Sequence, residues 1–220
     1  MFNLGFNFFQ NIKNYIFPFY RNKDLKLIFE KLQQGFPKER VTARFVGGCV
    51  RKYLSGEKID DIDIATILTT DQIKERLKKT KFKIIDTGIK HGTLTVIYEN
   101  FKVELTTLRK DIKTDGRHAK VEFTDDWKTD SERRDFTINS IYLDINGKIF
   151  DPQMGTVDLK NKNVKFIGDP QKRIMEDYLR IIRFIRFKIM YDVKVEPTTS
   201  SAIKQNLDGI KRISKERILV

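Results

Sequence analysis

The stretch FVGGCVRKYLSGEKIDDIDIAT, Phe45 to Thr66, constrains this chain more than any other. ARFVGG reads as a short buried strand entering a glycine turn. Further on, DDIDIAT alternates acidic and apolar residues with the period of a strand. Residues two apart on a strand share a face, so Asp61 and Asp63 point together and Asp60 points away. Two such carboxylates repel unless a cation sits between them. A hard divalent ion answers that, and magnesium held by one or two carboxylates and phosphate oxygens is its usual form. Taken alone, the acids fit an edge strand with a solvated acidic face equally simply. The glycines add to the first reading. Gly47 and Gly48 let the backbone approach a phosphate closely and free N–H groups to cradle it. Arg51 follows by one helical turn and can pair with phosphate oxygens.

The remaining patterns place this unit in a mixed fold. NKDLKLIFEKLQQGF carries Leu25, Leu27, Ile28 and Leu32 at helical spacing, with Gly35 as the stop. TTDQIKERLKKT predicts a helix capped by Thr70 or Asp71. FKIIDTG, GTLTVIYEN and FKVELTTLR predict three strands, the last two joined by a turn around Asn100. From Lys110 to Glu132 the pattern dissolves into a long polar loop. RRDFTINSIYLD predicts a helix, and GKIFDPQMGTVDLKNKNVKFIGDP a turn-rich strand region. A long helix over QKRIMEDYLRIIRFIRFKIMYD and a second over TTSSAIKQNLDGIKRI follow. Strands dominate the first two thirds and helices the last, which predicts an α+β head followed by a helical module.

Composition narrows the function. The chain has 220 residues, 40% of them apolar, and a net charge of +13 from 43 Lys and Arg against 30 acids. That excess predicts attraction to polyanions, with a nucleic acid as the leading partner. An AT-rich genome, which enriches Lys, Ile, Asn and Phe, is the other source of such a charge. The single cysteine, Cys49, excludes an internal disulfide and a multi-cysteine zinc site, fits a reducing cytoplasm, and reads as a small buried residue. No run approaches the ~18 apolar residues of a membrane span, so no membrane partner is expected. The aromatic start MFNLGFNFFQNIKNYIFPFY lacks a signal-peptide pattern and reads as a helix or an interaction arm.

Three further groups carry candidate chemistry. Glu104, in VELTTLR, faces away from Val103 and Leu105, where it could join the metal pair or accept a proton. A surface glutamate is the alternative. Arg134 and Asp135 could hold phosphate and a ribose hydroxyl, or Asp135 could cap a helix. In RIMEDYLRIIRFIRF, Ile174, Tyr178, Ile181, Ile182 and Ile185 form an apolar stripe, with Glu176, Asp177, Arg180, Arg183 and Arg186 on other faces. Asp177 and Arg180, three apart, are neighbours on one helix. An intrahelical salt bridge is the simple outcome. The sharper one is base selection. Cytosine and adenine both present an amine donor beside a ring-nitrogen acceptor, which a carboxylate and a guanidinium match. Uracil and guanine reverse both signs, and a mismatched buried polar pair is costly.

GGCVRKYLSGEKIDDIDIAT, RRDFTINS and EDYLRIIRFIRF resemble the three signature blocks of bacterial (class II) tRNA nucleotidyltransferases, the CCA-adding enzymes, whose close relatives are bacterial poly(A) polymerases. The resemblance covers Leu25 to Val220, with DGRHAKVEF where the family keeps a flexible loop. It implies a polymerase-β-like nucleotidyltransferase head with a mixed or antiparallel sheet, followed by a helical neck. The implied domains are an N-terminal extension at 1–24, the catalytic head at 25–145 and the neck at 146–220. It implies transfer of C and A from CTP and ATP to the tRNA 3′ end with release of pyrophosphate, dependent on Mg2+. Gly48 and Arg51 would contact the triphosphate, beside Gly47. Asp61 and Asp63 would hold magnesium. Arg134 and Asp135 would contact phosphate and sugar. Asp177, Arg180, Arg183 and Arg186 would form the nucleotide pocket, with Asp177 and Arg180 as a protein template. Lys52 departs from the family, which often has an acid there, and Tyr178 stands where it often has proline or alanine. Family members continue into body and tail domains, whereas this chain stops inside the neck, as a fragment or a shortened form. CC-only, A-only or poly(A) addition are sibling alternatives, and a non-catalytic RNA- or nucleotide-binding module is a different class.

Overall fold

The structure is a computed structural model that describes residues 22–99, 101–115 and 118–218. The extension expected at 1–24 lies outside the described residues up to position 21, as do the turn residue Asn100 and Gly116–Arg117. In chain order the elements begin with α1 (Lys23–Gln33), β1 (Ala43–Val46), α2 (Gly48–Ser55), β2 (Asp63–Thr66), α3 (Thr70–Leu77), β3 (Lys83–Gly88), β4 (Thr93–Tyr98) and β5 (Phe101–Thr107). Next come β6 (Arg109–Asp115), β7 (His118–Phe123), α4 (Trp127–Glu132), a 3-10 turn (Thr137–Asn139), β8 (Tyr142–Leu143) and β9 (Ile149–Phe150). Helices α5 (Gly155–Lys160), α6 (Pro170–Glu176), α7 (Leu179–Tyr191), α8 (Pro197–Gln205) and α9 (Lys215–Ile218) follow, with a 3-10 turn at Leu207–Arg212. The fold is α+β. By compactness it divides into Met1–Thr107 with Tyr142–Phe150, and Leu108–Ile141 with Asp151–Val220.

The first unit is a seven-stranded sheet of order β3-β4-β5-β2-β1-β8-β9. Its pairings are antiparallel except that β2 runs parallel to β5. The register aligns Phe45, Ile64, Leu105 and Leu94 on one face, and all four are buried. Helix α1 covers that face, with the Phe29 and Phe45 rings 4.7 Å apart. It starts because Asn22 Oδ1 accepts the N–H groups of Asp24 and Leu25, at 2.8 and 3.1 Å. Its buried stripe is Leu25, Ile28, Phe29 and Leu32. At its other end Arg76, from α3, donates to the carbonyls of Lys31 and Leu32, at 3.2 and 2.9 Å, groups that a helix terminus leaves unsatisfied. Helix α3 is capped by Thr69 in a capping box with Gln72, one residue before the expected Thr70.

The second unit differs most from the sequence expectation. The polar loop expected over 110–132 is instead the β6–β7 hairpin and helix α4. The helix expected over RRDFTINSIYLD is replaced by a single 3-10 turn and β8. The backbone there is spent on a neighbouring segment: Thr137 N–H donates to Lys165 O at 3.0 Å, and Ile167 N–H to Asp135 O at 3.1 Å. The region read as turn-rich strand holds only the short β9 and then α5.

The long helix expected from Gln171 is interrupted. Asp177 is extended (φ −158°, ψ 106°), and its carboxylate accepts the Leu179 N–H at 3.1 Å, so it opens α7 as an N-cap does. Within α7 Ile185 is exposed, and the buried stripe is Ile181, Phe184 and Phe187, spaced three apart. They pack with Phe136 and Phe166, whose rings are 4.7 Å apart, and the Phe166 and Phe184 rings stack at 5.8 Å. Each buried ring stabilises by about 2–3 kcal/mol.

Gly155 brings α5 against the 3-10 turn with no side chain between them. A Cβ there would lie 2.1 Å from the Thr137 carbonyl oxygen, a backbone atom that cannot rotate away. Gly155→Ala is expected to cost about 1–3 kcal/mol and to lower the melting temperature by roughly 2–8 °C. An unchanged thermal melt would contradict this packing.

Candidate functional site

In the first unit, β1 runs into α2 through Gly47, whose φ of +75° and ψ of −134° only glycine adopts readily. Arg51 donates its N–H to Gly47 O at 3.0 Å. Its side chain is buried and folds back, with one terminal nitrogen 3.9 Å from where a Gly48 Cβ would stand. A helix N-terminus and a guanidinium thus share one place, an arrangement suited to phosphate.

Strand β2 begins at Asp63, so Asp61 stands two residues before it rather than within it, while Ile62 O still accepts the Glu104 N–H at 3.0 Å. The strand does confirm where Asp63 faces. Asp63 pairs in register with Glu104 and Glu104 with Thr95, which places all three on the face opposite Phe45. Cys49 joins this acid to the turn: its thiol donates to Val46 O at 3.2 Å and to Asp63 O at 3.6 Å. Lys52 forms an ion pair with Asp60, and Asp60 Oδ1 also accepts the Asp61 N–H at 3.1 Å. Lys52 thereby holds the Asp60 carboxyl below its usual range. The acid read as spare therefore orders the approach to Asp61.

Asp61 and Asp63 offer hard oxygen donors beside the phosphate turn. Among the described residues no three His, Cys, Asp or Glu side chains gather as a metal cage, so Glu104 does not complete one. Its carboxylate is half-exposed, 3.9 Å from Lys102 Nζ. A two-carboxylate set fits magnesium, which keeps waters and takes its remaining oxygens from substrate phosphates.

Burial pushes the Cys49 thiol up to about 12. The thiolate is the reactive form. Iodoacetamide at pH 8 is therefore expected to leave the folded protein unlabelled and to modify Cys49 only after denaturation. Labelling of the native protein, read by intact mass, would contradict this burial.

In the second unit, Arg134 and Asp135 follow α4. Asp130 is fully buried and takes Arg133 Nε at 2.8 Å, a terminal Arg134 nitrogen at 3.1 Å and the Arg109 N–H at 3.2 Å. Asp135 accepts from the Phe136 N–H at 2.8 Å and from Asn139 Nδ2 at 3.1 Å, and pairs with Arg183 at 2.7 Å. The side chains of Asp177 and Arg180 do not pair with each other, although the Arg180 N–H donates to Asp177 O at 3.1 Å. The broken helix sends Asp177 to Arg217 at 2.8 Å, and Arg180 to Glu176 at 2.6 Å and Arg173 O at 2.5 Å. Arg186 is exposed, with its guanidinium 5.6 Å from the Phe187 ring centre. Sequence reading missed Asp130, Arg173 and Arg217. The i, i+3 and i, i+4 spacing of Asp130 to Arg133 and Arg134 was the available signal.

The sequence family described as the poly A polymerase head domain matches residues 43–165, more than half the chain. The chain is 47% identical over 195 residues to the human protein named CCA tRNA nucleotidyltransferase 1, mitochondrial, covering 87% of this chain and 45% of that one. It is 42% identical over 178 residues to a CCA-adding enzyme of Lactobacillus helveticus, covering 80% of this chain and 44% of that one. Its fold is similar to the crystal structure of the Bacillus stearothermophilus CCA-adding enzyme in complex with CTP, with a TM-score of 0.77 and 34% identity, over 91% of this chain and 47% of that one. The chain therefore spans just under half the length of these relatives.

Proposed function

The chain belongs to the poly(A) polymerase head-domain family, and from that premise we propose that it adds C and A, from CTP and ATP, to the 3′ end of tRNA. The RNA 3′-hydroxyl attacks the α-phosphorus of the triphosphate, a new P–O bond forms, and the bond to the leaving pyrophosphate breaks. One observation carries this reading: the Cys49 thiol bonds to both Val46 O and Asp63 O, so the glycine turn and the acid strand form one patch. Names of relatives, CCA-adding enzyme and CCA tRNA nucleotidyltransferase, support the choice of substrates.

Each residue has a role in this proposal. The α2 N-terminus at Gly47 and Gly48, with Arg51, holds the triphosphate. Asp61 and Asp63 hold Mg2+. Bound there, the metal would lower the pKa of the attacking hydroxyl and neutralise charge on the leaving oxygens. Glu104 is the candidate proton acceptor. Arg134 and Asp135 contact phosphate and ribose. Arg180 and Asp177 read the base, and Arg183 and Arg186 line its pocket. We assign transfer to residues 25–145 and base choice to 146–220. With a net charge of +13, RNA affinity is expected to fall steeply with salt. A reducing cytoplasm suits the lone buried thiol. The human relative is named mitochondrial, so cell fractionation should distinguish cytoplasm from matrix.

The decisive experiment incubates the protein with end-trimmed tRNA and each triphosphate, singly and together, with and without Mg2+, and sequences the product. The expected product is C, C, A. Long adenylate tails, or C without A, would replace this reading with a sibling activity. No transfer with intact RNA binding would leave a binding module.

A further inference from the structure

We infer that Asp130 is a positioning residue for the triphosphate: its buried carboxylate fixes Arg134 and ties that arginine to the root of the β6–β7 hairpin. This rests on the proposed reading of Arg134 as a phosphate contact.

Asp130 is 0% exposed, and donors reach both of its oxygens. Oδ1 accepts from the Arg109 N–H at 3.2 Å and from Arg133 Nε at 2.8 Å, and Oδ2 accepts from a terminal nitrogen of Arg134 at 3.1 Å. Arg109 is the first residue of β6, so one carboxylate joins the hairpin root to both arginines. The contacts continue beyond it. Arg173 donates to the carbonyl oxygens of Arg133 and Arg134 at 2.5 and 2.6 Å, and its other terminal nitrogen meets Glu176 at 2.6 Å. Glu176 also receives Arg180 at 2.6 Å. The Arg134 backbone is thus clamped from one side by Arg173 while Asp130 clamps its guanidinium.

Charge explains why a carboxylate is needed here. Arg133 and Arg134 stand close enough to Arg109 to disfavour its charge, and Arg180 does the same to Arg173. Burial first, and then Arg133, lower the Arg109 guanidinium to about 10. Arg173 is lowered by burial and then by Arg180. Asp111 offsets the repulsion at Arg109, and Glu176 at Arg173, while Asp130 is the carboxylate bonded to Arg133 and Arg134. Arg133 and Arg134 side chains are only 15% and 16% exposed. A carboxylate that accepts from Arg134 fixes the direction of its guanidinium, which lowers the entropy lost on meeting a phosphate.

The test measures CTP and ATP binding by titration calorimetry, without RNA, for the parent, Asp130→Asn, Asp130→Glu, Arg134→Ala and the double variant Asp130→Asn/Arg134→Ala. Asn keeps the volume and removes the charge, whereas Glu keeps the charge and moves it. Asp130→Asn is expected to weaken both nucleotides about tenfold, leaving their ratio unchanged because no base contact is touched. Asp130→Glu should recover part of the loss. The double variant should bind no more weakly than Arg134→Ala alone, since Asp130 acts through Arg134. Binding by Asp130→Asn within twofold of the parent, when Arg134→Ala has lost it, would overturn the inference alone. Additive losses in the double variant would do the same. Loss of the cooperative melt in both Asp130 variants would also overturn it, by making the carboxylate a support of the fold. Unchanged binding in Arg134→Ala would instead remove the proposed phosphate role of Arg134.

Discussion

Replacing Asp61 and Asp63 together by Ala is expected to reduce nucleotide incorporation by about 10³-fold or more, while fold and RNA binding persist. A metal that stabilises developing charge contributes several kcal/mol, and each 1.36 kcal/mol is a decade of rate. The fold should survive because neither carboxylate belongs to the core: Asp61 is exposed and Asp63 half-buried. The Asp63 backbone bonds to Cys49 through its carbonyl and pairs with β5, and Ala keeps both. RNA affinity should hold because removing two acids raises an already positive charge. Three measurements on one preparation decide it: thermal melt, RNA binding and incorporation into end-trimmed tRNA. Turnover at the parent rate in a folded double variant would refute the metal assignment. Loss of RNA binding together with turnover would mean that the acids organise a wider surface.

The first unit was legible because its chemistry is local. A glycine turn, a helix N-terminus and a short strand led by an acid are short-range features, and Asp63 opens that strand. The limit was one residue pair: the strand begins at Asp63, and Asp61 belongs to the segment that Lys52 and Asp60 order. The second unit was less legible, and for two physical reasons. The β6–β7 pair is a separate two-stranded sheet, outside the seven-stranded one, and leaves Ile112 and Phe123 exposed. On its described residues the partly buried positions include the charged Arg109 and Asp111 while the apolar Ile112 and Phe123 are exposed, so the apolar alternation that marks a strand in sequence is missing. The interruption at Asp177 carries no proline or glycine. It is stabilised by Asp177 capping α7 and by Arg217, 40 residues further on, a tertiary partner that no helical period announces. Asp130 was hidden in the same way, as one acid in the polar run over 110–132 that reads as a loop.

That interruption sharpens the second large prediction: Asp177→Asn should lower kcat/KM for CTP and ATP by about 10²-fold and erase most discrimination against UTP and GTP. Each carboxylate oxygen can accept more than one donor. Oδ1 takes the Leu179 N–H and Oδ2 takes Arg217, so both are aimed and each keeps a lone pair for an exocyclic amine. Arg180 is aimed as well. Its NH1 meets both Glu176 Oε2 and Arg173 O, and its NH2 takes part in neither contact, free to address a ring nitrogen. The two side chains proposed to select the base are therefore held by different partners, not by each other, and a base can enter without first breaking an ion pair between them. An unpaired buried polar group costs about 1–3 kcal/mol, and Asn leaves two such penalties exchanged: its amide can turn a donor towards the carbonyl of uracil or guanine. Arg217→Ala should produce a smaller loss in the same direction, because Asp177 keeps its cap and loses only one restraint. The measurement is kcat/KM for the four triphosphates, each alone, on end-trimmed tRNA. Full selectivity in Asp177→Asn would remove that residue from base choice. Full selectivity in Arg217→Ala, beside a loss in Asp177→Asn, would show that the helix cap alone suffices to aim the carboxylate.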